Sequence, residues 1–289
     1  MFDLKIQRNL KNIPIDEYFS KRNRILIHRD LGGAGDILMH RMIFEDFKII
    51  NPNVHITFAV PPQFFPLVKN HPFIDCVADF RTVDHNDYIM VYDTTATCLN
   101  YEQRMAEGHP PKNRPDIWAE SCGVKLTKHN MHLEIDEKIK DLGHEIWQKF
   151  DTEGRPRILI SPIAMSSQRG LSLEQYEAIM KKLQSMNVFI LGTNINKDTL
   201  FDQLQIPQFN TKKIEEWMGL VSAADYVISV DTGTFHLAAG LKKPLLGLFT
   251  KTEGSIRGQN YEFVLWQQEA NKISLENAVE KMFCKWPIL

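Results

Sequence analysis

The spacing of apolar residues changes period repeatedly along this chain, and each change marks the start of a new element. Short apolar runs rich in β-branched and aromatic side chains recur at residues 24–29, 54–60, 74–78, 88–92, 157–161, 188–191, 226–230 and 244–249. Runs of this kind predict strands buried on both faces of a parallel sheet. Between them, apolar positions return at helical spacing over 37–50, 136–150, 173–186, 214–224 and 274–283. The stretch 99–128 is polar and broken by Pro110, Pro111 and Pro115, with a short helix predicted at 116–122. Turn-forming residues cluster at 151–156, which reads as a linker. Alternation on both sides of it predicts an α/β protein of two doubly wound parallel sheets. The domains are then 1–150 and 151–289, with ligands held where the strands' carboxyl ends face open space.

Two strand–turn–helix segments carry candidate chemistry. After the strand at 226–230 come Asp231, Thr232, Gly233, Thr234, Phe235 and His236, which open an Ala-rich helix. The first N–H groups of such a helix lack intrahelical partners, and its dipole favours an anion such as phosphate. The hydroxyls of Thr232 and Thr234 and the imidazole of His236 are expected to add donors. An ordinary turn with a capping Thr is the plainer alternative. In the other half, Leu31-Gly32-Gly33-Ala34-Gly35 precedes Asp36. No Gly-Lys-Ser/Thr follows, so this is not a phosphate loop, and an acid at the helix start repels a pyrophosphate. Asp36 reads as a helix N-cap or as a functional acid.

Composition narrows the classes. The net charge of −2, with both halves near neutral, points away from nucleic acid. The first 29 residues hold seven Lys or Arg against three acids. That excess predicts a solvated basic extension, with at most weak peripheral attraction to an anionic membrane surface. The four cysteines are scattered, and the ten histidines lack metal-site spacing. Neither a signal peptide nor an apolar run of about 20 residues stands out, so a soluble cytoplasmic chain is expected.

The segments Gly32-Gly-Ala-Gly-Asp36-Ile-Leu-Met, Asn70-His-Pro-Phe-Ile-Asp-Cys-Val77 and Leu220 through Gly240 with Pro244–Phe249 resemble glycosyltransferase family 9, the heptosyltransferase-like enzymes. The resemblance covers roughly residues 24 to 265 and is strongest in the last third. It implies a GT-B fold, two Rossmann-like domains facing each other across a cleft, with the acceptor on the N-terminal side and a nucleotide sugar on the C-terminal side. It further implies metal-free, inverting transfer from a nucleotide-diphosphate sugar, usually ADP-heptose, to a lipopolysaccharide-like or other surface-glycan acceptor. Asp36 matches the family's proposed base. Asp231, Thr232, Gly233 and His236 match its diphosphate loop, with Thr234 beside them. Arg169 stands where the family often has a cation, although residues 166–172 lack the usual aromatic. The helix after Asp36 carries His40 and Arg41 in place of the usual Pro.

Inverting transfer needs a base on one face of the anomeric carbon and a stabilised diphosphate on the other. No Asp-x-Asp presents a metal, so Arg169 is the candidate to neutralise the leaving group; a solvated loop cation is its alternative reading. Gly33, Gly35, His40, Arg41 and Arg114 are the expected acceptor-side residues, with His109, Lys112 and Asp116 in the same polar insertion. Gln208 and Asn210 are positioned to meet a ribose, and Trp118, Trp147 and Trp217 read as packing. No cofactor is expected beyond the donor substrate, and the chain is expected to be a monomer. Two other readings stay open: a GT-B nucleotide-sugar epimerase or hydrolase, and a non-catalytic nucleotide-sugar binder.

Overall fold

A computed structural model describes residues 23–162, 164, 169–194, 199–250, 264–267 and 274–288. The basic segment before residue 23, and with it the expected membrane attraction, lies outside the described residues, as do residues 165–168 next to Arg169. The chain forms two compact units, Met1–Leu133 and Glu134–Leu289.

The first unit is built on β1 (Arg24–His28), β2 (His55–Val60), β3 (Cys76–Asp79) and β4 (Met90–Asp93). They lie parallel in the order β3-β2-β1-β4. Leu26, Ile27, Phe58 and Ala59 are fully buried, as expected of strands covered on both faces. The helix expected over 37–50 begins earlier and is interrupted. It runs as α1 (Ala34–His40), a 3-10 turn at Arg41–Ile43 and α2 (Phe44–Ile50). Two further helices follow β4. The first, α3 (Thr97–Ala106), buries only Cys98 and Tyr101, an apolar stripe too thin to announce a helix. The second, α4 (Arg114–Ser121), has Pro115 in its first turn, where a missing N–H costs nothing.

The second unit opens with α5 (Glu137–Gln148) and contains β5 (Arg157–Ser161), α6 (Leu173–Gln184), β6 (Phe189–Asn194), α7 (Thr199–Gln203), β7 (Gln208–Asn210), α8 (Ile214–Ser222), β8 (Tyr226–Val230), α9 (Gly233–Gly240), β9 (Leu245–Leu248), β10 (Val264–Gln267) and α10 (Leu275–Lys285). Its parallel strands run β10-β9-β8-β5-β6-β7. Short α7 and β7 carry too few apolar residues to stand out in the sequence, whereas β10, with Val264, Leu265 and Trp266, is a further strand that the expected set lacks. Tyr176, Ile179 and Leu183 of α6 share a core with Val279 and Met282 of α10.

The units divide before α5 rather than at the turn-rich 151–156. Gly143 of α5 lies against the backbone of Gly219 in α8, with no room for a Cβ on either residue. Trp147 Nε1 donates to Leu220 O at 2.9 Å. This close crossing makes α5 part of the second core.

In each sheet the chain starts centrally, builds to one side, then crosses to the other. Strand order therefore reverses between β1 and β4 in the first unit and between β5 and β8 in the second. Such switch points leave a crevice at the strands' carboxyl ends. No helix among the described residues is long and apolar enough to cross a membrane.

Candidate functional site

The crevice of the first unit is organised by charge. Just past β1, Arg29 is 4% exposed. It donates to Thr94 O at 3.0 Å and to Asp36 Oδ2 at 3.1 Å, and lies 4.9 Å over the Trp118 ring. Arg114 donates to Asp36 Oδ1 at 2.5 Å and grips Glu102 through Nε and Nη2 at 2.8 and 3.0 Å. Gly32 makes this cluster possible. Its φ is +117°, and a Cβ there would stand 2.6 Å from Arg29 Nη2 and 2.7 Å from Asp36 Oδ2.

Asp36 is thus no helix cap. Gly33 holds the N-cap of α1, and Asp36 sits within the first turn. Burial pushes its carboxyl pKa up, but Arg114 and Arg29 together outweigh this and hold it below the ordinary range. At neutral pH the group is a carboxylate, and among the described residues each oxygen accepts one side-chain hydrogen bond, which leaves each a lone pair.

The expected acceptor-side residues are distributed differently from one another. Arg114 reaches Asp36, Gly33 is exposed with open space beside it, and Gly35 lies partly buried in α1. His40 and Arg41 are buried beneath, which corrects their assignment to acceptor contact. His40 bonds Asp36 O and Thr94 Oγ1 at 2.9 and 3.0 Å, with its ring 3.7 Å from that of Trp118. Its burial favours the neutral imidazole. Arg41 points into the protein and donates to the carbonyls of Leu67, Met131 and His132. Lys112 pairs with Glu120, and Asp116 with His129; His109 is exposed.

In the second unit, Arg169 and Asp231 meet at the β5/β8 switch point. Arg169 Nη1 lies 3.2 Å from Asp231 O and 3.3 Å from Oδ2. Gly233 starts α9 after Thr232, whose side chain makes no capping bond. Ser229 Oγ donates to Val230 O at 2.9 Å and lies 3.1 Å from Thr232 Oγ1. Either hydroxyl can be the donor in the Ser229–Thr232 contact. His236 is buried, with Nε2 3.9 Å from Asp231 Oδ1. Gln208 and Asn210 lie on the edge strand β7. Trp118 and Trp147 are wholly buried packing residues, whereas Trp217 is partly exposed and bonds Thr234.

Arg29 and Glu102 were not among the sequence candidates. A cation and an anion flanking a Gly-Gly turn, as Arg29 and Asp36 do, is the signal that could have found Arg29. Glu102 had no local signal, because its partner Arg114 lies on another helix.

Residues 112–284 match the family described as Glycosyltransferase family 9 (heptosyltransferase). The putative lipopolysaccharide heptosyltransferase 4 of Escherichia coli K12 is 29% identical over 135 residues, which are 44% of this chain and 34% of that protein. The match thus spans about a third of that relative. Among solved structures, E. coli ADP-heptose LPS heptosyltransferase II superposes with a TM-score of 0.69 at 12% identity, covering 91% of this chain and 99% of that one. The E. coli heptosyltransferase WaaC with ADP does so with a TM-score of 0.63 at 14% identity and the same coverages. Identities this low establish the fold alone, and that fold is GT-B, built of two Rossmann-like units. Because the family match extends over more than half of its length, the chain belongs to glycosyltransferase family 9, the heptosyltransferase family.

Proposed function

We propose that this chain is an inverting, metal-independent glycosyltransferase that moves heptose from ADP-heptose to a hydroxyl of a lipopolysaccharide-like or other surface-glycan acceptor, acting as a monomer. The observation that carries this reading is a carboxylate, Asp36, held between two arginines at the switch point of one unit, where the other unit has the start of α9 with Arg169 bonded to Asp231. The ADP bound to WaaC, of the same fold, supports ADP as the nucleotide. The lipopolysaccharide heptosyltransferase 4 relative supports the acceptor class.

In the proposed reaction, the acceptor oxygen attacks the anomeric carbon opposite the diphosphate. The new C–O bond forms as the bond to the phosphate oxygen breaks, and the hydroxyl proton passes to a free lone pair of Asp36. The nucleoside diphosphate departs with its electron pair toward the first N–H groups of α9. Arg169 spends Nη1 on Asp231, and its other N–H donors, which bond no side chain or carbonyl among the described residues, are the ones proposed to meet phosphate oxygens.

Calorimetric titration with ADP-heptose and other nucleotide sugars, followed by transfer assays in excess EDTA, tests this reading. Transfer is expected to persist in EDTA, and an absolute requirement for Mg²⁺ or Mn²⁺ would overturn the metal-free step. Arg169→Ala should slow transfer, with partial recovery in Arg169→Lys if charge outweighs fork geometry.

The arginine pair sets the pH response. Arg114→Gln removes the larger electrostatic pull on Asp36, so the carboxyl pKa rises. The acidic limb of the pH profile of kcat/KM should move to higher pH, with activity retained above it. An unmoved limb would show that Asp36 is not the group titrating there.

A further inference from the structure

The proton arrangement around α9 singles out a residue on its neighbour. Trp217 Nε1 of α8 lies 3.1 Å from Thr234 Oγ1. An indole nitrogen only donates, so Thr234 Oγ1 accepts in this bond. The hydroxyl's own proton therefore points elsewhere, and no described residue takes it. Thr234 is 5% exposed, and a buried hydroxyl proton without an acceptor is costly unless a ligand supplies one.

Thr234 is also the second residue of α9, within the turn whose backbone N–H groups lack helical partners. An anion drawn to those groups is the nearest acceptor that the chemistry provides. Thr232 differs, because its partner is another hydroxyl, Ser229 Oγ at 3.1 Å, and the two can exchange donor and acceptor roles.

We propose that Trp217 is a positioning residue for the donor diphosphate: by occupying a lone pair of Thr234, it orients that hydroxyl as a proton donor to a phosphate oxygen at the start of α9. The inference rests on the reading of this loop as the diphosphate site. Of its two threonines, Thr234 is then the one whose hydroxyl a fixed N–H donor orients. A mere helix–helix contact between α8 and α9 would also hold the two side chains together, but would leave ligand affinity untouched.

The test uses the full chain with ADP and inorganic pyrophosphate as probes, read by calorimetry. Thr234→Val and Trp217→Phe should each weaken both ligands by about fivefold to tenfold, the effect of one lost or misdirected hydrogen bond. The double variant should be no weaker than Thr234→Val alone, because both changes remove the same donor. Thr234→Ser, which keeps the hydroxyl, should recover most of the affinity. In ¹⁵N-labelled protein, the Trp217 indole N–H resonance should shift when pyrophosphate binds, and Thr234→Val should abolish that shift.

Wild-type affinity in Trp217→Phe, or losses that simply add in the double variant, would overturn this inference alone. Failure of the unaltered protein to bind either probe would overturn the diphosphate reading along with it.

Discussion

Replacing Asp36 by Asn is expected to lower sugar transfer by about two to four orders of magnitude, the range for a positioned acid or base, while ADP affinity stays near that of the wild type. The proposed donor loop belongs to a unit with its own core, so loss of a carboxylate in the other unit leaves it intact. Folding stability will fall as well. Asp36 is the shared countercharge of Arg29, whose side chain is 5% exposed, and of Arg114, and an amide cannot neutralise them. A cost of about 3 kcal/mol is reasonable for removing one member of a largely buried ion pair. The pH dependence identifies that cost. Because the folded pKa of Asp36 lies below its unfolded value, its stabilisation is fully present above the ordinary carboxylate range. It is lost as pH falls through the lowered value. The stability gap between wild type and variant should therefore shrink on acidification. To separate catalysis from folding, rates are compared with Arg114→Gln at a temperature where melting curves show both variants folded. If Asp36 only holds the arginines, the two variants should lose activity alike. If it is the base, Arg114→Gln keeps substantial turnover. An Asn variant running at more than about a tenth of the normal rate, well outside that range, would end the assignment.

The fold was legible wherever burial imposed a strong pattern. Strands such as Arg157–Ser161 and Tyr226–Val230 are mostly apolar and flanked by turn residues, so their limits could be read directly. Thr97–Ala106 was not legible, because a helix that buries two side chains presents almost no periodicity. The unit boundary was hidden for a different reason. Turn composition at 151–156 is local, whereas the contact of Gly143 with Gly219 is a long-range fact. The site followed the same rule. Asp36 and the 231–236 loop stood out because turn chemistry is written in adjacent residues. The pairing of Asp36 with Arg114 spans 78 positions, and nothing in either neighbourhood announces it. His40 and Arg41 show the opposite error. Polar residues close to a candidate acid suggest the surface, yet in a helix the next residues turn away, and these two turn into the core.

Arg41→Met should destabilise the first unit by about 3 kcal/mol and leave ADP affinity unchanged. The Arg41 guanidinium is 1% exposed and donates to the carbonyls of Leu67, Met131 and His132. Burial without a facing carboxylate lowers its pKa to about 9, so it is charged at neutral pH. Carrying that charge inside is itself costly, and only the three carbonyl partners offset it. Met matches much of the apolar stem and removes the charge, but leaves those carbonyls without their donor. Each buried, unpaired acceptor costs about 1–3 kcal/mol, and relief from desolvating the guanidinium returns part of the sum. A net loss of about 3 kcal/mol corresponds to roughly 5 °C in Tm for a chain of this size. Arg41→Lys should recover little, since a single ammonium on a longer stem cannot reproduce the planar fork toward three separate carbonyls. The carbonyls tie the 3-10 turn and the segment at 131–132 to one side chain, so the loss should appear as a lower melting temperature with increased amide exchange at both places. An acceptor-binding role predicts the reverse outcome, a raised KM with normal melting. A variant that melted like the wild type would show that the buried fork is not what holds these segments together.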